Sequence, residues 1–252
     1  MAATETGPVP TLTLKSGNPL TASADAVVVG CWAGKTLRVA APGAPAATLR
    51  RIERALTALG ASAATDEVVR LPGNGISTAP VIVAVGLGSA TTAMTPERLR
   101  RAAGAAVRTL AGHRRVALAL PHDLDTELAA ILEGAALGSY AFTRHLHSKL
   151  TKSKAPVRAV SVFTAAPRRP EAREIVERAL AIGHNVNFAR DLINTSPLHM
   201  APADVAARAR QHLAGTSVKV TVLDDKALRA EGYGGIIGVG QGSSRPPRLV
   251  RM

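Results

Sequence analysis

Short apolar runs alternate along the chain with amphipathic segments, and this alternation constrains the fold more than any other feature. The apolar runs are bounded by Gly, Pro or Asp and indicate β-strands; they span residues 11–14, 26–31, 67–71, 80–88, 115–121 and 157–164. The runs at 67–71, 80–88 and 115–121 are apolar enough that we expect both of their faces to be covered. Strands alternating with helices predict an α/β fold, a sheet with helices on both faces.

The segments between the runs have helical periodicity. Within 46–60 the apolar residues at helical spacing are Leu49, Ile52, Leu56 and Leu59. Thr95 is a candidate N-cap with Pro96 in the first turn of a second helix. A third helix is expected over roughly 125–147 and a long fourth one over about 171–194.

The Pro- and charge-rich stretch at 165–174 indicates a domain boundary. We therefore predict two domains, 1–167 and 168–252. After the long helix, Pro202 suits the first turn of a helix that continues through Leu213. The remaining predicted elements are a strand at 217–224, a short helix at 225–232 and a strand at 248–252.

Charge and cysteine content limit the classes of function. The chain has 31 Lys plus Arg against 18 Asp plus Glu, a net charge of +13, which can attract nucleic acid or acidic surfaces. Residues 134–170 are one-sidedly basic, but no aromatic stacking platform or base-reading motif accompanies them, which favours a solvated surface. Cys31 is the only cysteine, and no apolar run reaches the length of a membrane span. Residues 1–10 lack the pattern of a signal peptide, so we expect a cytoplasmic protein with no membrane partner.

The glycine motifs do not match nucleotide-binding fingerprints. Gly34-Lys35-Thr36 follows an apolar run, but only three residues separate Gly30 from Gly34, where a phosphate-binding loop needs four. The sequence therefore predicts an ordinary turn. Residues 85–91 contain two glycines of the three in a dinucleotide fingerprint. In the densest glycine stretch, Gly238, Gly240 and Gly242 alternate, which favours a strand packed closely against another backbone over a turn near a ligand.

Titratable clusters do not form a recognisable site. Asp123, Asp125 and Glu127 lack the glycine of a calcium loop and suit the start of a helix. On a helix His145 and His147 would face apart, which favours a basic surface over a metal pair. His199 is a lone histidine in a predicted loop, and no Gly-x-Ser-x-Gly nucleophile elbow occurs. The residues by themselves identify no catalytic, cofactor-binding or metal-binding group.

Two segments resemble the leucyl aminopeptidase (cytosol aminopeptidase) family. The first is FARDLINTSPLHMAP, whose matching residues are Ala189, Arg190, Asp191, Leu192, Asn194, Thr195 and Pro197. The second is the glycine run that ends in Gln241, Gly242, Ser243 and Pro246–Pro247. The resemblance is specific over 186–250 and looser before about 165. Ser196 stands where the family usually has Pro, and Leu198-His199 replace an Asn-containing continuation.

The resemblance implies a macro-like mixed-sheet N-terminal domain, a linking helix and the start of an α/β exopeptidase domain. It also implies a cytoplasmic, hexameric hydrolase that uses two divalent ions, manganese or zinc, to release N-terminal Leu and similar residues from peptide substrates. The family binds these ions through Lys, Asp and Glu in a Gly-Lys-Gly…Phe-Asp-Thr-Gly-Gly stretch and an Asn-Thr-Asp-Ala-Glu-Gly-Arg stretch. Neither stretch occurs in these 252 residues.

We therefore expect a truncated product or fragment of such an enzyme, inactive alone and binding no metal, with no catalytic residue of its own. The alternative is a non-catalytic module that docks onto family subunits or binds nucleic acid. A further expectation is that residues 235–252 form an interior strand of the complete domain, whose exposed edge invites association.

Overall fold

The computed structural model describes residues 9–143 and 155–252. The chain divides into two compact units, Met1–Phe188 and Ala189–Met252. The predicted division at residue 167 remains a prediction, and each unit is described by itself below. None of the helices in the described ranges combines the length and the apolar character that crossing a membrane would require.

The first unit is built around a mixed seven-stranded sheet. The strands are β1 (Thr11–Lys15), β2 (Ala26–Ala33), β3 (Arg38–Ala40), β4 (Val68–Pro72), β5 (Val81–Ser89), β6 (Arg115–Ala119) and β7 (Ala159–Phe163). Their order in the sheet is β1-β7-β6-β2-β5-β4, and β3 also pairs with β2. β3 and β4 are antiparallel to their neighbours and the other pairings are parallel. The predicted α/β fold with a mixed sheet is confirmed. Sequence periodicity missed β3, which is only three residues long.

Helices cover both faces of this sheet. They are α1 (Ala46–Ala58), α2 (Pro96–Thr109), α3 (Asp125–Gly138) and α4 (Pro170–Asn194), the last of which continues into the second unit. The predicted N-cap is confirmed, because the backbone N–H of Arg98 donates to Thr95 Oγ1 at 3.3 Å. The third helix is shorter than predicted. It ends at Gly138, and Ser139 Oγ donates back to the carbonyl of Ala136 at 2.8 Å.

Two apolar cores lie on opposite faces of the sheet. Along β2, Val28 belongs to the core that contains α2 and α3, whereas Val27 and Val29 belong to the core that contains α1. This alternation follows from the two-residue period of a strand. β5 and β6 are buried on both faces as predicted. The same prediction was wrong for β4, which is only partly buried. It is an antiparallel edge strand, and in the described part of the chain only β5 pairs with it.

The second unit contains a 3₁₀ turn (Pro197–His199), three helices and a two-stranded antiparallel sheet. Its helices are α5 (Pro202–His212), α6 (Asp225–Ala230) and α7 (Gly234–Gly240), and its strands are β8 (Thr221–Leu223) and β9 (Leu249–Arg251). The predicted strands at 217–224 and 248–252 are thus present in shorter form.

The glycine-rich segment is a helix, so the prediction of a closely packed strand there was wrong. A Cβ atom added at Gly238 or Gly242 would meet no atom within 4 Å, which shows that no backbone packs against these positions. Only Gly240 is crowded, by the Pro247 side chain at 2.7 Å. Residues 235–252 therefore comprise most of α7, a connection and β9 instead of one strand. Alternating glycines carry little conformational preference of their own, and the surrounding structure decided their state.

Candidate functional site

The segment 188–202 joins the end of α4 to α5 through a hydrogen-bonded turn. Thr195 is buried; its hydroxyl donates to the carbonyl of Asp191 at 2.6 Å, and its backbone N–H donates to the same oxygen at 3.1 Å. The backbone N–H of Ala201 donates to Asp204 Oδ2 at 2.9 Å, which closes the first turn of α5. These contacts satisfy backbone groups at helix ends and give the segment a structural role.

Within the second unit, the connection between α7 and β9 contacts the 3₁₀ turn of the segment described above. Arg245 donates from its guanidinium to the carbonyl oxygen of Pro197. Nearby, the guanidinium of Arg248 lies 3.3 Å from the carboxylate of Asp225 at the start of α6. Arginine side chains thus hold the connection between α7 and β9 against both the 3₁₀ turn and α6.

The residues present do not fit the pair of metal ions that the family resemblance implies. Among the described residues, no three His, Cys, Asp or Glu side chains converge to hold an ion. His145 and His147 lie outside the described residues. His199 lies in the 3₁₀ turn of the second unit.

The acidic residues near the start of α3 bind protein groups. Glu127 Oε2 accepts the backbone N–H groups of Asp123 at 2.8 Å and Leu124 at 3.1 Å, and Asp125 forms an ion pair with Arg169. Their interpretation as a helix start is confirmed. The Arg169 guanidinium lowers the pKa of Asp125 from its ordinary value, which keeps this exposed carboxylate charged.

A crevice of about 520 Å³ lies at the carboxyl ends of the central parallel strands. The chain leaves β2 toward β5 on one side and leaves β6 toward β7 on the other, so this crevice is the topological switch point of the sheet. Trp32, Met94, Pro121 and His122 are among its lining residues. The Nδ1 atom of His122 lies 2.9 Å from the Leu120 carbonyl oxygen. Sequence reasoning missed this crevice, since finding it requires the strand order.

A second cavity has a volume of about 790 Å³. On one side it is lined by residues 33–38, which comprise the end of β2, the connection to β3 and the first residue of β3. On the other side it is lined by α1 and by residues that follow α1 up to Ser62. We call it the basic cleft, because Lys35, Arg38, Arg50 and Arg54 line it. The predicted ordinary turn at Gly34-Lys35-Thr36 is confirmed: it joins two antiparallel strands, whereas a phosphate-binding loop must lead into a helix.

Cys31, the lone cysteine, is a core residue of β2. It is 2% exposed, and burial with a smaller contribution from the charge of Glu67 raises the pKa of its thiol to about 12. Since the thiolate is the reactive form, the native protein keeps this sulfur chemically inert.

Comparison with known proteins gives this architecture its context. The model of the cytosol aminopeptidase family N-terminal domain matches residues 28–149, and the model of the family's catalytic domain matches residues 187–252. The two matches follow each other in the same order as the two units. They place the chain in a class of α/β proteins that combine an N-terminal domain with the beginning of a catalytic domain. The chain belongs to the cytosol aminopeptidase family.

Curated relatives support the same family assignment. A probable cytosol aminopeptidase of Micrococcus luteus is 46% identical over 250 residues, which cover 96% of this chain and 48% of the relative. A probable cytosol aminopeptidase of Streptomyces griseus is 43% identical over 258 residues, which cover 96% of this chain and 50% of the relative. The chain therefore spans about half the length of the curated relatives it matches.

Among solved structures, the bottromycin maturation enzyme BotP superposes with a TM-score of 0.67 at 28% identity, covering 90% of this chain and 45% of that one. A mutant of tomato leucine aminopeptidase superposes with a TM-score of 0.77 at 20% identity over 97% of this chain and 50% of that one. The second likeness concerns the fold alone.

Proposed function

We propose that this chain supplies the N-terminal domain and the beginning of the catalytic domain of a metal-dependent aminopeptidase, and that its 252 residues do not catalyse peptide hydrolysis by themselves. One observation carries the proposal: both family models match in order, while the two metal-binding stretches of the family are absent from the sequence. A two-metal hydrolase needs ligands that hold both ions next to the scissile carbonyl.

The chemistry is therefore assigned to a longer family protein. There, two divalent ions, manganese or zinc, would be bound by residues outside this chain, and the substrates would be peptides with N-terminal Leu or similar residues. A related solved structure, BotP, is described in complex with Mn, which supports manganese for the first tests. We further propose that the longer protein is cytoplasmic and forms a homo-hexamer. Light scattering of the purified longer protein tests the oligomeric state.

The deciding experiment measures leucine release from leucine amide by the purified 252-residue chain with added Mn²⁺. We expect no release above a blank that contains metal without protein. The Micrococcus luteus relative, assayed at the same protein and metal concentrations, is the positive control, and we expect it to release leucine. Release by the 252-residue chain that scales with its concentration would overturn the proposal.

A further inference from the structure

The basic cleft brings together four cations from two separate segments of the sequence. Lys35 lies in the connection between β2 and β3, and Arg38 is the first residue of β3, whereas Arg50 and Arg54 come from α1. The one acidic residue among the lining residues is Glu53, whose Oε1 accepts the backbone N–H of Val39 at 3.0 Å. The lining thus carries a net charge of +3, and its single carboxylate already has a backbone partner.

None of these four cations has a hydrogen-bond or ion-pair partner among the described residues. Other arginines of the first unit are neutralised: Arg100 pairs with Glu97 and Glu133, and Arg101 pairs with Asp66. Arg50 and Arg54 are exposed and lie one turn apart on α1, a spacing at which like charges repel. Glu53 is the one lining carboxylate, so three of the four positive charges remain unbalanced within the cleft.

The shape and chemistry of the cleft indicate a small anion. A volume of about 790 Å³ lies in the usual range of small-molecule sites. Arginine presents a planar fork of donors that matches phosphate oxygens, and the Thr36 hydroxyl in the lining adds a further donor. No aromatic side chain lines the cleft, so it offers no surface on which nucleic-acid bases would stack.

We propose that the basic cleft of the N-terminal unit binds a small anion that carries two or more phosphate groups. Several separated cations suit such a ligand better than a single phosphate, because each phosphate group can contact a different side chain. The site lies in the unit matched by the family's N-terminal domain.

The test uses the purified 252-residue chain and isothermal titration calorimetry with inorganic phosphate, pyrophosphate and tripolyphosphate at one constant ionic strength. Constant ionic strength is needed because salt screens exposed charges. We expect one saturable site for pyrophosphate and tripolyphosphate, with affinity rising from phosphate to tripolyphosphate. Absence of saturable binding by both polyphosphates would overturn the proposal.

Two double variants separate the cleft from the overall charge. Arg50→Gln with Arg54→Gln removes two cleft cations and is expected to weaken tripolyphosphate binding at least tenfold. Arg178→Gln with Arg210→Gln removes the same charge at exposed helical positions elsewhere and should change the affinity less than twofold. Equal weakening by both pairs would refute a specific site.

A loop variant and an oligonucleotide complete the design. Lys35→Gln changes an exposed residue outside any helix or strand, so it keeps the test valid if the helix variant unfolds; we expect a several-fold loss of affinity. A single-stranded oligonucleotide should bind more weakly than tripolyphosphate at equal phosphate concentration. Tighter oligonucleotide binding that is lost in the cleft variant would overturn the small-anion assignment in favour of nucleic acid.

Discussion

The contact between α2 and α3 depends on glycine, and replacing Gly138 with Ala tests how tightly it is packed. A Cβ atom at Gly138 would lie 2.5 Å from the carbonyl oxygen of Gly104, 2.8 Å from its Cα and 3.0 Å from its carbonyl carbon. All three atoms are backbone, so no side chain can rotate out of the way. To restore ordinary contact the helices must separate by about 1 Å across an interface of buried apolar residues.

The expected magnitude follows from two opposing terms. Overpacking of a well-packed core costs ~1–3 kcal/mol, and a clash with backbone belongs at the upper end of that range. Alanine gains up to ~1 kcal/mol over glycine in helix propensity. We therefore expect Gly138→Ala to lower the free energy of unfolding of the first unit by ~2 kcal/mol, which lowers its melting temperature by roughly 4–8 °C.

Urea unfolding followed by tryptophan fluorescence is the appropriate assay. Trp32 is the only tryptophan and lies on β2, so its emission reports on the first unit. Two other glycines give matched controls. At Gly104 an added Cβ would lie 3.3 Å from the Gly134 carbonyl, so Gly104→Ala should cost less than Gly138→Ala. At Gly238 it would meet nothing within 4 Å, so Gly238→Ala should leave the Trp32 transition unchanged. A Gly138→Ala protein as stable as the wild type would refute the reasoning.

Three further predictions concern buried or hydrogen-bonded groups of the first unit. Asn187 is fully buried and neither of its amide atoms hydrogen bonds to a described residue, so Asn187→Leu should raise the free energy of unfolding by ~1 kcal/mol; a loss measured in urea would contradict this. Cys31 should react with a thiol reagent only on unfolding, so its modification should stay slow in the native protein even at pH 9 and become fast in denaturing urea; rapid native modification would contradict its burial. Burial alone would raise the pKa of Asp25, but the N–H groups of Arg115 and Arg114, each 2.8 Å from its carboxylate, lower it overall. The pKa of Asp25 in the folded protein then lies below its pKa in the unfolded chain, so this stabilisation is present above pH ~4 and is lost as the pH falls through the folded pKa. Between pH 6 and pH 3, the free energy of unfolding measured in urea should fall more steeply for the wild type than for Asp25→Asn. Equal slopes would count against this prediction.

Much of the fold was predictable because its signals are local. The apolar runs and caps placed six strands of the first unit and the start of α2, and the paired signature segments led to the correct family. The errors lie where local signals are weak. The strand β3 is too short to show a period, β4 is apolar yet lies at an edge, and the glycines of α7 have little intrinsic preference.

The amino-acid sequence alone determined where strands and helices form, the family, and the absence of the two metal-binding stretches, since each depends on neighbouring residues or on motif content. Only the tertiary structure decided which distant residues meet. It brought Lys35 and Arg38 to face Arg50 and Arg54 across the basic cleft, and it brought Gly104 against Gly138. The reason is that such meetings depend on strand order and on helix packing, and these are set by burying apolar surface across the whole unit.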